Sequence, residues 1–296
     1  MMIARNRLRG LHETAMRFCF GSVAALTIVL LIGIFALLFK NGYRAVADIG
    51  ILSFLGTDWN PVSYVSPSWG MSALFLGTAI VAGSALLFAL PLGLLTAISL
   101  SELMPPRLRE FLKPMIELIA GLPSVVLGIL GLIYVAPLIA SLFGLSNGLN
   151  ALTAGLLVSV AVLPSIASLC EDALGEVPRN LRDASLALGA TKWGTIVKVV
   201  LPAAKSGIAA ATMLGLGRAI GETVIVLMVA GNSLALPTSF FDPVRPVTAN
   251  IAIEIKEVVF GSLHWSSLFL GGLILFLLTF AINAVTDLFI QRNRFR

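Results

Sequence analysis

The sequence predicts an all-α integral membrane protein with six transmembrane helices, and three observations carry that expectation. First, of 296 residues 58% belong to the hydrophobic set and only 12% are charged, with a mean hydropathy of +0.98. That ratio leaves too little polar surface to coat a water-soluble core. Second, the charges leave two long gaps, from Asp58 to Glu102 and from Glu117 to Glu171, each longer than the roughly 20 residues that cross a bilayer. Third, the basic residues gather in alternate connections between the apolar runs, the pattern that sets orientation in a membrane. A soluble enzyme is excluded at this level. The net charge of +5 points to anionic lipid headgroups rather than nucleic acid, because the basic residues sit in short clusters beside apolar runs.

In chain order, the first apolar run covers 18–39 and follows Arg5, Arg7, Arg9 and Arg17. A cleaved secretory signal with Ala45, Val46 and Ala47 as its processing site is the competing interpretation. The run is too long for a signal core and Lys40 and Arg44 intervene, so an uncleaved signal-anchor helix is expected. The remaining spans are expected at 69–100, 118–143, 149–170, 206–230 and 266–290. The second exceeds the length a crossing needs and is expected to tilt or to begin at the interface.

Orientation follows from Lys and Arg. The N-terminal segment, the 100–117 connection with Arg107, Arg109 and Lys113, the 171–205 connection and the C-terminal Arg292, Arg294 and Arg296 hold 15 of the 20; the other three connections hold Lys40, Arg44, Arg245 and Lys256. Both termini are expected in the cytoplasm. The organisation expected is a cytoplasmic segment at 1–17, an anchor helix and external loop at 18–69, a transmembrane domain at 70–290 that includes a cytoplasmic loop at 171–205, and a tail at 291–296.

The 171–205 loop carries the most specific pattern. Pro178 suits a first helical turn, Leu181, Ala184, Ser185 and Leu188 then share one face, and Gly189 supplies a stop. A second short helix is implied by Trp193, Ile196, Val197 and Val200, with Lys192 and Lys198 near the headgroups and Pro202 as its end. By periodicity alone this is equally a connector lying on the membrane. The run Asp183, Ala184, Ser185, Gly189, Val199, Leu201 and Pro202, however, resembles the EAA motif of bacterial ABC importer permeases, E-A-A-x3-G-x9-I-x-L-P, with Asp for Glu, Ser for the second Ala and Val for Ile. The resemblance implies a type I importer permease (MetI-like) fold in which this loop is the coupling helix. Asp183, Ala184, Ser185, Gly189, Leu201 and Pro202 would then belong to the element that docks on an ATPase subunit. The sequence contains no G-x4-G-K-[ST] phosphate loop, so ATP and Mg are expected on that partner and no cofactor in this chain. Gly215, Gly217 and Gly221 lie inside an apolar run rather than after a strand and make no nucleotide site.

Arg218 and Glu222 lie within the fifth span. On a continuous helix they share a face and can pair, and charges at that depth face a cavity or each other. One interpretation is a structural ion pair, with Gly217 and Gly221 as a small-residue helix contact. The other makes Arg218 an anion contact, since a planar guanidinium matches an oxyanion bidentately, with Glu222 competing for it. The segment 214–232, LGLGRAIGETVIVLMVAGN, together with GLPSVVLG at 121–128 and PVTANIAIE at 246–254, is similar to phosphate ABC transporter permeases of the PstC type. That resemblance covers most of the chain from about residue 70. It implies phosphate import by a complex with a second, PstA-like permease subunit, two ATPase subunits and an extracytoplasmic phosphate-binding protein, with Arg218 and Glu222 in the substrate path. Permeases for sulfate, molybdate or a phosphonate, and a secondary transporter or channel, are the alternatives.

Other residues carry less. Pro91, Pro123 and Pro164 sit in apolar runs, where they either break helices or kink them for packing. Trp59, Trp69 and Trp265 are expected as interface anchors. Residues 250–259 are expected as an external amphipathic surface helix, with a gate or docking surface as the alternative. Cys19, Cys170, His12 and His264 are too few and too dispersed for a disulfide framework, a metal site or an intramembrane active site.

Overall fold

The computed structural model describes residues 2–63 and 65–294, with side chains described for 16–63, 65–286 and 288. Helix α1 (Met2–Ile49) is followed by a 3-10 turn (Ile51–Leu55) and a two-residue antiparallel pairing of β1 (Trp59–Asn60) with β2 (Ser68–Trp69). Then come α2 (Ser72–Ile98), α3 (Pro106–Ala120), α4 (Ser124–Leu130), α5 (Ala136–Phe143) and α6 (Ala151–Gly175). The loop after α6 contains α7 (Arg179–Ala187), α8 (Lys192–Thr195) and α9 (Leu201–Ala203); α10 (Lys205–Gly221), α11 (Val224–Val229), α12 (Val247–Glu254) and α13 (Leu263–Arg294) complete the chain. Single π-turns follow α2, α4 and α8.

Five helices are long and apolar enough to cross a membrane, and a sixth crossing arises if the bent pair Lys192–Ala203 and Lys205–Gly221 counts as one span. Five of the six expected crossings are thus present as helices and the fifth span only as part of a bent pair, and four features differ from expectation. The first helix runs to Ile49, past Lys40 and Arg44, so the expected loop begins at Gly50, nearly three turns later, and ends in the small β pairing. The third span starts at Ser124, not 118: Pro123 has no amide to donate and sits with extended ψ, which breaks the chain after α3. The fifth span is interrupted at Glu222 and Thr223. Residues 247–254 form a helix with Val247, Ala249 and Asn250 buried, not a free surface helix. Pro91 and Pro164 lie inside continuous α2 and α6.

The core centres on α6, which packs along α2 and is crossed by α10. Ile166 of α6 is fully buried, wedged where Gly93 of α2 and Gly215 of α10 leave room. A Cβ at either glycine would come within 2.9 Å or 2.7 Å of its side chain, closer than such atoms approach. Small residues thus bring three helices together where the lipid provides no hydrophobic drive between them. A separate outer cluster joins Ala45 of α1, Phe54, Trp59, Met71 and Leu74 to Val247 and Leu268. Trp59 is only 2% exposed, so it is a core residue and not the interface anchor expected.

Two ion clusters fix opposite ends of the bundle. In α3, Arg109, Lys113 and Glu117 follow at four-residue spacing and face α6. Lys113 Nζ lies 2.6 Å from Glu171 and 2.7 Å from Asp172, Arg109 pairs with Glu171, and Ser168 Oγ donates to Glu117 at 3.1 Å. The other helix face carries exposed Leu108, Phe111, Met115 and Leu118, as an interfacial helix requires. At the far end Glu254 of α12 gathers Trp59 Nε1 at 3.0 Å, His264 Nε2 at 2.8 Å and Arg245 Nη1 at 3.4 Å. The hairpin, α12 and the start of α13 are held together there.

Candidate functional site

The break in the fifth span builds the site. Helix α10 ends at Gly221, and Glu222 turns to an extended conformation with ψ 126°. Its carboxylate Oε1 accepts the amides of Val224 at 3.1 Å and Ile225 at 3.3 Å, two of the donors that the start of α11 would otherwise leave unpaired. Its own carbonyl, freed by the break, accepts the hydroxyl of Thr248 from α12 at 3.0 Å. Interrupted backbone at membrane depth is tolerated only where protein satisfies it or a cavity receives it, and both conditions are met. After α11, Gly231 and Asn232 adopt positive φ, 85° and 54°, and Asn232 Nδ2 donates to Leu227 O at 2.8 Å. The G-N pair therefore turns the chain back at the helix end.

Arg218 and Glu222 do not pair, which corrects the expectation of an ion pair on one helical face. The four-residue spacing assumed a helix through Glu222, and the helix stops one residue short. Arg218 is exposed on the single chain and its Nη1 donates to Ser165 Oγ of α6 at 2.5 Å. Among the described residues no carboxylate lies within ion-pairing distance of it. Arg218 and Ser165, but not Glu222, line a cavity of about 670 Å³ between α1, α6, α10 and α13, walled by Leu38, Leu214 and Phe276. Gly217 and Gly221 also line it, and a Cβ added to either would meet nothing within 4 Å. They open the cavity and make no helix contact within this chain, where Gly215 makes one. A positively charged guanidinium whose one partner among the described residues is a neutral hydroxyl has donors left over for an anion.

The coupling-type loop forms the second part of the candidate site. Pro178 precedes α7, and the helix ends at a Schellman closure: Ala190 N donates to Ser185 O at 3.2 Å and Gly189 N to Leu186 O at 2.9 Å. Gly189 has φ 86°, a conformation a side chain resists. Asp183, Ala184 and Gly189 are exposed and Leu188 is 90% exposed, so α7 offers a free face of small residues with an apolar tip. Ser185 Oγ meets Thr195 Oγ1 at 2.9 Å, tying α7 to α8, and Thr191 Oγ1 accepts Gly194 N at 3.0 Å to start α8. Leu201 packs on the main core. Pro202 falls in the first turn of α9 and the helix runs on to Ala203, so the bend comes at Ala204 and not at the proline as expected.

The loop is anchored by residues the motif did not single out. Arg182 of α7 donates to Glu102 Oε1 at 2.6 Å, to Leu174 O at 2.8 Å and to Val177 O, so one guanidinium ties α7 to the ends of α2 and α6. Arg182 and Glu102 line a cavity of about 420 Å³ with Arg109, Arg179, Asp183 and Lys192. The nearby Glu171 is fully buried. Burial works against the charge of Lys113, but its hydrogen bonds to Asp172 and Glu171 and their negative charges outweigh that and raise its pKa above the ordinary 10.5. Glu102 and Glu171 had one signal in the sequence: each closes one of the two uncharged gaps. On the opposite side, Asp242 accepts the amide and hydroxyl of Thr238 and the amide of Ser239, which lower its pKa. Among the described residues no cluster of His, Cys, Asp and Glu could hold a metal ion.

Fold and site together describe a multi-pass, largely helical membrane protein with a cavity beside Arg218 and an exposed loop between α6 and α10. The chain belongs to the family described as binding-protein-dependent transport system inner membrane component, whose sequence profile matches residues 89–295. It is 38% identical to the phosphate transport system permease protein PstC of Mesorhizobium japonicum over 92% of this chain and 88% of that one. It is also 35% identical to the probable ABC transporter permease protein YqgH of Bacillus subtilis, over 94% and 91%, and 34% identical to PstC of Haemophilus influenzae, over 91% and 90%. Among solved structures, a bacterial alginate ABC transporter matches 95% of this chain and 96% of that one with a TM-score of 0.63 and 13% identity. The MetNI methionine ABC transporter, facing inward, matches 75% and 94% with a TM-score of 0.55 and 20% identity. The fold is thus the MetI-like ABC permease fold, in a multi-pass inner-membrane protein whose family works with a substrate-binding protein and an ATPase.

Proposed function

We propose that this chain is a permease subunit of an ATP-driven phosphate importer and that Arg218 contacts the anion in the translocation path. The observation that carries the proposal is the guanidinium of Arg218 facing a cavity without a carboxylate in its lining, held by Ser165 and, among the described residues, by no carboxylate. Support for the substrate comes from the relatives named for phosphate transport. Glu222 belongs to the path as the residue that stabilises its broken helix. The second permease subunit is PstA-like, two ATPase subunits bind ATP and Mg, and an extracytoplasmic phosphate-binding protein delivers the substrate. The chain itself hydrolyses nothing.

Asp183, Ala184, Ser185, Gly189, Leu201 and Pro202 form or support the surface on which an ATPase subunit docks, and closure of the ATPases moves the loop. Both termini and this loop lie in the cytoplasm. Favouring this, the ion pairs of Arg109 and Lys113 with Glu171 and of Arg182 with Glu102 draw the two basic connections to one end of the bundle. The hairpin and α12 lie at the other. Residues 70–290 then make up the transmembrane domain, preceded by the anchor helix.

In proteoliposomes holding the complete transporter and binding protein, Arg218→Ala is expected to lower ATP-dependent phosphate uptake at least about tenfold, since a hydrogen bond to a charged group contributes about 1.5–3 kcal/mol. Uptake at the wild-type rate would remove Arg218 from the path.

A further inference from the structure

We infer that Ser165 and Asn283 complete an oxyanion site with Arg218, and that their acceptor atoms make it select a protonated oxyanion such as hydrogen phosphate over a fully ionised one such as sulfate. The inference rests on the proposed function and adds the residues and the basis of selectivity.

The hydroxyl of Ser165 differs from others in the spans. Thr78, Ser84, Ser159, Thr212, Ser267 and Thr286 each donate to a carbonyl three or four residues earlier in their own helix, which satisfies the proton and removes it from use. Ser165 makes no such bond among the described residues; one lone pair of its oxygen accepts from Arg218, and its second lone pair and its proton stay available to a ligand. Across the cavity, Thr279 of α13 lines the wall, but its hydroxyl is committed to Leu275 O at 3.0 Å and Phe276 O at 2.9 Å. Asn283, one turn further on the same face, lines the cavity and is exposed to it. Three polar groups from α6, α10 and α13 therefore converge on a space otherwise bounded by Leu38, Leu214 and Phe276.

Their chemistry sets the preference. A guanidinium donates to any oxyanion, whereas a hydroxyl and a carboxamide each present an acceptor lone pair as well as a proton. Phosphate near neutral pH carries one or two P–OH groups, each needing an acceptor, and Ser165 Oγ and Asn283 Oδ1 supply two. Sulfate at neutral pH has no proton to give, so it uses only the donors of the site and leaves both acceptors without a partner. A site built to hydrogen-bond a ligand hydroxyl discriminates strongly against an analogue that lacks it.

The test uses the complete transporter in two assays: ATP-driven phosphate uptake in proteoliposomes with the binding protein, and line broadening of the phosphorus NMR signal of inorganic phosphate by the transporter in nanodiscs without it, with sulfate as competitor. Ser165→Ala and Asn283→Leu are each expected to lower uptake about fivefold to tenfold, on the order of one hydrogen bond to a charged ligand, and to let sulfate compete as well as phosphate. Ser165→Thr should restore both, and ATPase subunits should co-purify as with wild type. Wild-type uptake and unchanged preference for phosphate in both variants overturns the inference, and does so without touching the proposed function if Arg218→Ala is inactive. Should Ser165→Ala fail to assemble, Asn283→Leu, at the cavity surface, decides. An unbroadened phosphate signal with no uptake by wild type overturns the proposed function instead.

Discussion

At Arg218 and Glu222 the two charges within one span have different tasks. The arginine faces the cavity, whereas the glutamate supplies the acceptor for the first amides of α11. A glutamine retains that acceptor and a leucine does not. Glu222→Gln is therefore expected to keep the thermal stability of the purified transporter, and Glu222→Leu to lower its melting temperature, the loss of a cap costing about 1 kcal/mol. Equal damage by both would show that the carboxylate charge, not its capping geometry, matters. Arg218 was legible in sequence as a charge inside an apolar span. Its partner was not, because pairing by four-residue spacing assumes an unbroken helix, and a serine such as Ser165 carries no sign of whether its proton is spent. Trp59 was misplaced for a related reason: an aromatic beside a span fits an interface anchor equally well until its indole N–H is seen to meet Glu254.

Among the elements, the coupling-type loop was the most legible. Pro178 and Gly189 mark the limits of α7, since one lacks an amide and the other tolerates positive φ. The π-turn at Ile196–Val200 was hidden, since one extra residue in a turn leaves the apolar pattern nearly unchanged. Around Gly189 a Cβ would meet nothing within 4 Å, so bulk added there projects outward, though the φ of 86° strains any side chain placed there. Gly189→Trp is expected to leave membrane insertion intact while ATPase co-purification and transport are both lost. A complex that still assembles and transports would show that this face is not the docking surface. The break in the fifth span was hidden because Gly, Glu and Thr at 221–223 are compatible with helix, and the capping by Glu222 and Thr248 exists only in three dimensions.

For the molecule as a whole, the charge gaps and the alternation of basic connections made the crossings legible, while the way α2, α6 and α10 converge on Ile166 was not, since small residues are abundant throughout the spans. Charge also sets the behaviour of the bundle with pH. The pKa of Lys113 is raised in the folded protein, so the native state holds that proton more tightly than the unfolded chain. Its contribution is fully present below 10.5 and is lost as the pH rises through the higher folded value. Hydrogen exchange of α3 is therefore expected to stay slow through neutral pH and, after correction for the intrinsic rate, to accelerate above 10.5. In Lys113→Met, exchange should be fast at every pH. An α3 equally protected in both proteins would show that the ion cluster does not hold it.

The same cluster bears on how the chain enters the bilayer. A polypeptide is made from its N-terminus, so Arg109 and Lys113 emerge before Glu171, which is wholly buried once the bundle is complete. The acidic end of α6 never has to await its counterions: they already stand at the membrane surface when it leaves the ribosome, and the order of synthesis spares the insertion machinery an unpaired charge.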